Sequence, residues 1–195
     1  MTPSLPSEDA AWVRIATPLS VKSLREFCRD LERLYRINPL LELIEWRKIG
    51  PNQYYLGANN LSNSQKIATE IYREESDEGF KFSYSKGLKS ATFIRIEKEI
   101  QGSALILIDD YSGLSEAERT QRLAEVDRSL EHWGRELFRY LQNWQRWHWF
   151  PPYRWYMRRV WQPMKPSARR IAYMLIIVSL FELLAFFVIA GIWIL

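Results

Sequence analysis

Residues 79–111 read GFKFSYSKGLKSATFIRIEKEIQGSALILIDDY. Phe80, Phe82 and Tyr84 alternate with Lys81, Ser83 and Ser85, which gives a strand one buried face and one wet face. Two glycine breaks, Lys86-Gly87 and Gln101-Gly102, divide the stretch into strands at Gly79–Ser85, Ser90–Ile100 and Ser103–Tyr111. The same period of two extends upstream through Leu41–Ile49, Gln53–Asn60 and Ser64–Glu75. Gly50-Pro51-Asn52, Asn60 to Asn63 and Asp77-Glu78-Gly79 supply the turns between them. Connections this short join neighbours in an antiparallel meander. A further strand is expected at Ala11–Thr17, with Val13, Ile15 and Thr17 on one side.

Helical periodicity brackets the strands. Ser20 reads as an N-cap, and Val21, Leu24, Phe27, Cys28, Leu31 and Leu34 predict one amphipathic helix over 21–35. Asn38-Pro39 stops it, because a residue before proline disfavours the helical region. After the strands, Ser115-Glu116-Ala117-Glu118 forms a capping box. It opens a long helix striped by Leu123, Val126, Leu130, Trp133, Leu137, Tyr140, Leu141 and Trp144, which Pro151-Pro152 should end. A stripe of that length needs a surface to bury it, and the sheet supplies one. The fold class is therefore α+β, a curved antiparallel sheet of about seven strands gripping a long C-terminal helix.

The rest of the chain is of another kind. Ile171–Leu195 is an apolar run interrupted by one acid, Glu182, and about 20 apolar residues suffice to cross a bilayer as a helix. Residues 1–136 carry 19 basic and 22 acidic side chains, whereas residues 137–195 carry 8 and 1. The positive excess precedes the span, so the N-terminal part is expected in the cytoplasm, in a single-pass protein of a bacterial inner membrane. Five of the nine tryptophans fall in residues 144–161, among arginines, as suits side chains at headgroup depth. Trp144, Trp147, Trp149, Trp155, Arg158, Arg159, Trp161, Arg169 and Arg170 are the expected membrane-interface residues. Adjacency to the span favours lipid over nucleic acid as the partner of this basic segment. The expected divisions are a disordered leader at 1–10, a folded domain at 11–145, an interfacial segment at 146–170 and a transmembrane helix at 171–195. The leader lacks the basic and apolar regions of a signal peptide.

The order strand, helix, six strands, long helix resembles the START-like superfamily, also called SRPBCC or polyketide cyclase-like, with its helix-grip fold. Asp30 to Pro39 (DLERLYRINP), Tyr84 to Leu88 (YSKGL) and Asp109-Asp110-Tyr111 carry the resemblance, which covers roughly residues 11–145. It implies a deep cavity between sheet and long helix that takes a hydrophobic molecule: a lipid, a sterol or hopanoid, a quinone or a polyketide. The tryptophan-rich segment and the span lie outside the usual domain and favour a tethered form.

Inward strand positions and the sheet-facing side of the long helix should line that cavity. The candidates are Tyr54, Leu56, Ile71, Phe80, Phe82, Tyr84, Ile94, Ile96, Ile106, Ile108, Leu130, Trp133 and Leu137. A packed core is the alternative for each, since a one-residue slip exchanges the two faces of a strand. Catalytic residues are not expected. His132 and His148 have no Cys, Asp or Glu at metal or triad spacing, and adjacent Asp109 and Asp110 point to opposite faces. Cys28, the one cysteine, falls on an apolar stripe and reads as a structural thiol. No metal or cofactor is called for, unless a bound lipid or quinone is counted as one. Glu182 reads either as a contact to another transmembrane helix, from a partner or a second copy, or as a protonated acid bonding locally near Ser179. Three functions follow: a tethered binder of a hydrophobic ligand, an accessory or assembly subunit of a membrane complex, or a cyclase-like enzyme.

Overall fold

The computed structural model describes residues 10–87, 89–111 and 116–194. The leader, apart from Ala10, and the capping box opened by Ser115 lie outside the described residues, as do the side chains of Leu123 and Val126. Seven strands form one antiparallel sheet: β1 (Ala10–Thr17), β2 (Leu41–Lys48), β3 (Gln53–Asn60), β4 (Gln65–Glu75), β5 (Gly79–Tyr84), β6 (Ala91–Lys98) and β7 (Ser103–Asp110). Their order is β1-β7-β6-β5-β4-β3-β2, so β2 to β7 meander and β1 closes on β7. The architecture is the expected curved sheet with helices on one face, followed by a long apolar helix.

The first helix differs from its expected form. It is two helices, α1 (Val21–Arg29) and α2 (Leu31–Ile37), split at Asp30. Asp30 leaves the helical region, with φ −83° and ψ 81°, and its carboxylate accepts the Arg33 amide at 3.2 Å. An aspartate that can cap competes with the helix running through it. Both halves still bury the expected stripe, with Leu24, Phe27, Cys28, Leu31 and Leu34 in the core.

The long helix α3 (Glu116–Trp147) crosses β1 and β7. Gly134 sits at the closest approach, where a Cβ would come within 2.9 Å of a Val13 methyl. Trp133 is fully buried, and its indole donates to the Leu34 carbonyl at 3.1 Å, tying α3 to α2. Leu130, Leu137 and Leu141 complete the buried side of α3 against Phe82, Ile94, Leu105 and Leu107. Each such side chain, fully buried, contributes about 1.5–3 kcal/mol.

Pro151-Pro152 does not terminate α3 but begins the next helix, α4 (Pro151–Tyr156). Proline tolerates the first helical turn, where its missing N–H would have no partner. A π-helical turn at Met157–Trp161 follows, and then α5 (Pro166–Ile194), which Pro166 opens in the same way.

Candidate functional site: a pocket and the foot of the C-terminal helix

A cavity of about 290 Å³ opens between β3, β4, the β5–β6 loop, the α2–β2 corner and Trp133. Leu40, Leu41, Leu56, Ile67 and Trp133 give it an apolar surface. Tyr35, Tyr84, Lys66, Lys86 and Lys89 add polar groups, and no carboxylate lines it among the described residues.

Behind this wall runs a chain of polar contacts. The Tyr35 and Tyr84 hydroxyls hydrogen-bond to each other. Tyr84 also meets the Thr92 hydroxyl at 2.9 Å, and Thr92 donates to Asp109 Oδ1 at 2.6 Å. Lys89 Nζ donates to Asp109 Oδ2 at 2.6 Å, with 32% of its own side chain open but only 2% of the aspartate's. Strand register builds the chain, because Thr92 pairs with Asp109 across β6 and β7, and with Phe82 across β5. Burial alone would push the Lys89 ammonium down, but the adjacent Asp109 charge and hydrogen bond carry it above its ordinary value. Burial holds the Tyr35 phenol well above its ordinary range, and Tyr84 adds to the shift. Tyr84 is raised by burial too, against the opposing pull of Lys89.

Of the expected cavity residues, Leu56, Tyr84 and Trp133 line this pocket. Tyr54, Ile71, Phe80, Phe82, Ile94, Leu130 and Leu137 belong to the packed core, with Ile96 half-buried against it. Ile106 and Ile108 are on the opposite face. They pair with Arg14 and Trp12 on β1, while Leu105 and Leu107 alternate with them into the core. The run Ala104 to Ile108 is apolar at every position, so alternation could not phase it. Sequence reading missed Tyr35, Leu40, Leu41, Lys66, Lys86 and Lys89. Asp109 is a signal only once the phase of β7 is known: an acid in line with Leu105 and Leu107 needs a buried cation.

The end of α3 and the segment after it pack on the domain. Met157 is buried, and Trp144, Tyr153, Tyr156 and Trp161 are partly buried against the core. Arg33 stacks over Trp144 at 4.3 Å and donates to the Tyr140 hydroxyl at 2.8 and 3.0 Å. Gln162 donates to the same hydroxyl at 3.1 Å. Lys165 pairs with Glu42 at 2.6 Å, and Arg169 donates to the Arg36 carbonyl at 2.6 Å. Trp144, Trp161 and Arg169, expected on a free interfacial surface, thus form the joint between domain and tail. They stack and bond there because the acid-free tail finds its acceptors in backbone carbonyls and Glu42. Arg158 lies 5.8 Å over the Trp144 ring. Trp147, Trp149, Trp155, Arg159 and Arg170 remain exposed.

From the joint, α5 projects alone. Pro166–Ala190 is one helix long and apolar enough to cross a membrane. Glu182 is exposed on it and has no hydrogen-bond or ion-pair partner among the described residues, Ser179 included. Among those residues no group of three His, Cys, Asp or Glu could hold a metal.

No protein-family model matches the sequence, and no curated protein matches it. Solved structures do match its fold. A START superfamily protein from Mycobacterium smegmatis is 14% identical, with a TM-score of 0.51 over 68% of this chain and 94% of that one. Protein Ms6760 from Mycobacterium smegmatis is 12% identical, with a TM-score of 0.50 over 68% and 90%. The di-domain ARO/CYC StfQ from the steffimycin biosynthetic pathway is 9% identical, with a TM-score of 0.51 over 71% of this chain and 52% of that one. The chain therefore has the START-like, helix-grip fold.

Proposed function

We propose that the protein is a membrane-tethered binder, which holds a hydrophobic molecule in the pocket and exchanges it with the cytoplasmic leaflet. One observation carries the reading. Residues 36–42 serve both pocket and tail: Asn38, Leu40 and Leu41 line the cavity, while Arg36 and Glu42 grip Arg169 and Lys165. The pocket mouth therefore sits beside the point where α5 leaves the domain.

The apolar surface of α5 supports insertion, since over residues 171–189 every residue except Ala172 and Ala185 is exposed. From Ile171 to Ile194 the helix is about 36 Å long at ~1.5 Å per residue, against a hydrocarbon core of about 30 Å. The arginines before it support a cytoplasmic domain. Tethering would raise the local concentration of pocket and ligand without any new contact.

The pocket narrows the ligand. About 290 Å³ lies at the low end for small-molecule sites, so one ring or one chain enters and the rest stays outside. Lys66 and Lys86 have no ion-pair partner among the described residues. Such a rim suits an acid or carbonyl on the ligand, as in an acidic lipid or a quinone, better than the single hydroxyl of a sterol or hopanoid.

Native mass spectrometry of the full chain, released from nanodiscs of bacterial polar lipid, tests this. We expect one retained small molecule per chain, lost in Ile67→Trp, which fills the pocket from a half-buried position. An empty wild type, or equal retention by both proteins, would overturn the reading.

Glu182 supports a second reading, an accessory subunit held by its helix. A carboxyl at bilayer depth calls for a partner. Here Glu182→Leu would release a stoichiometric protein partner, and unchanged co-purification would exclude that role for it.

A further inference from the structure

We propose that the groove at the foot of α5 is a second lipid site, holding the phosphate of one anionic phospholipid against Arg169 and Arg170. The proposal rests on the reading that α5 lies in a bilayer.

The foot of α5 carries an unbalanced charge. Arg169 is half-buried and donates to three backbone carbonyls: Trp161 at 2.9 Å, Gln162 at 2.8 Å and Arg36 at 2.6 Å. Its guanidinium lies 4.1 Å from the Trp161 ring centroid. Carbonyls and a ring satisfy donors, but they do not neutralise a cation, and Arg169 has no ion pair among the described residues. A guanidinium has five N–H groups, so two remain for another acceptor. A sheltered charge ordinarily has a counter-ion.

The groove that Arg169 lines, about 870 Å³, lies between α3 and the segment from Tyr153 to Tyr173. Glu136, Arg139, Asn143, Trp147 and Arg170 also line it. Glu136 is its one acid among the described residues, and Arg139 takes that carboxylate at 2.9 Å. Arg169 and Arg170 are left as two cations without a counter-charge. Two guanidinium groups lining one groove suit a phosphate, which accepts from several N–H groups at once. A lipid is the fitting source because the exposed ring of Trp147 and that of Tyr173 carry the groove on to the apolar surface of α5. A free phosphate has no use for those rings.

The test uses full-length protein in dodecyl maltoside, titrated with phosphatidylglycerol or phosphatidylcholine and read by native mass spectrometry. One phosphatidylglycerol should be retained about tenfold more strongly than phosphatidylcholine. Arg169→Gln should lose about that preference. Arg170→Gln, which breaks no hydrogen bond or ion pair to the domain, should lose about fivefold with the melting temperature unchanged. Pocket-filling Ile67→Trp should retain the phosphatidylglycerol. Equal retention of the two lipids, wild-type retention by both arginine variants, or displacement by equimolar inorganic phosphate would each overturn the proposal. Liposome flotation separates the two readings. Protein that floats without preferring phosphatidylglycerol defeats only the lipid site, and protein that does not float defeats the membrane reading and this site with it.

Discussion

Lys89→Met and Asp109→Asn remove opposite ends of one ion pair, and they should not be equivalent. The Asp109 side chain is 2% exposed, so it cannot find water when the ammonium is gone. Thr92 at 2.6 Å and Tyr111 at 3.4 Å would be its remaining donors, both neutral. A buried charge stripped of its partner costs about 3–5 kcal/mol. The reverse change is milder. Lys89 is 32% open toward the pocket, so its ammonium can hydrate there, and the loss is one charge-assisted hydrogen bond, about 1.5–3 kcal/mol. The double variant leaves no unpaired charge, and the side-chain amide that replaces the carboxylate can still accept from Thr92. Its cost should therefore fall below the sum of the singles by about 2 kcal/mol, a coupling expected of residues in direct contact. Thermal unfolding of the full chain in micelles, followed by near-ultraviolet circular dichroism, reads the order. Lys89→Met should lower the domain transition by roughly 10–20 °C and Asp109→Asn by about half as much. The reasoning is refuted if Asp109→Asn is the more damaging single change, or if the double variant equals the sum.

Three further outcomes follow from local geometry. Gly79 has φ +153°, and an added Cβ would lie 1.8 Å from the Ile94 carbonyl oxygen, so Gly79→Ala should cost more than about 2 kcal/mol by forcing β5 off β6. Gly87, at φ +130°, has open space around it, so Gly87→Ala should cost the backbone strain alone, about 1–3 kcal/mol, and less than Gly79→Ala, the two being compared by melting temperature. Cys28 is fully buried, and burial pushes its thiol up, so a maleimide should label it only after denaturation; native labelling would contradict the packing of α1. The Lys165 hydrogen bond, with a second from Asn59, holds the Glu42 carboxyl below its ordinary value. A carboxyl depressed in the folded state stabilises above its unfolded pKa, about 4.3, and that contribution is lost as pH falls through the lower folded value. Hydrogen exchange over residues 162–170 should accordingly rise below about pH 4, and Lys165→Ala should remove the pH dependence.

Strand existence was legible in the sequence because turn chemistry punctuates it. Asp77 to Gly79, Lys86-Gly87 and Gln101-Gly102 fall where the hairpins do, and all seven strands lie within two residues of expectation. Phase was legible only where polar residues mark the wet face. In β5, lysine and serine alternate with Phe80 and Phe82, and those rings are buried. In β7, apolar residues fill both faces, since Ile108 packs behind the sheet between Trp12 and Phe93, so Leu105 and Leu107 could not be distinguished from their neighbours. Asp30 was hidden for a related reason. The stripe through Phe27, Leu31 and Leu34 continues across it, and a cap leaves periodicity intact. The pocket was the least legible part. Its polar residues come from a loop and from strand ends far apart in the chain, and only tertiary packing brings Lys66, Lys86 and Lys89 to one opening.

The corner at Arg36–Glu42 has a mechanical consequence. With Arg169 and Lys165 bonded to it, the tail is a handle about 43 Å long whose foot is held at the lip of the pocket. Any tilt or rotation imposed on α5 arrives at Leu40 and Leu41 as torque, with less than one turn of chain to absorb it. A spin label pair on Gln65 and Ala172 would register that motion as a change in distance. Whatever surrounds the handle thereby acquires leverage over the opening.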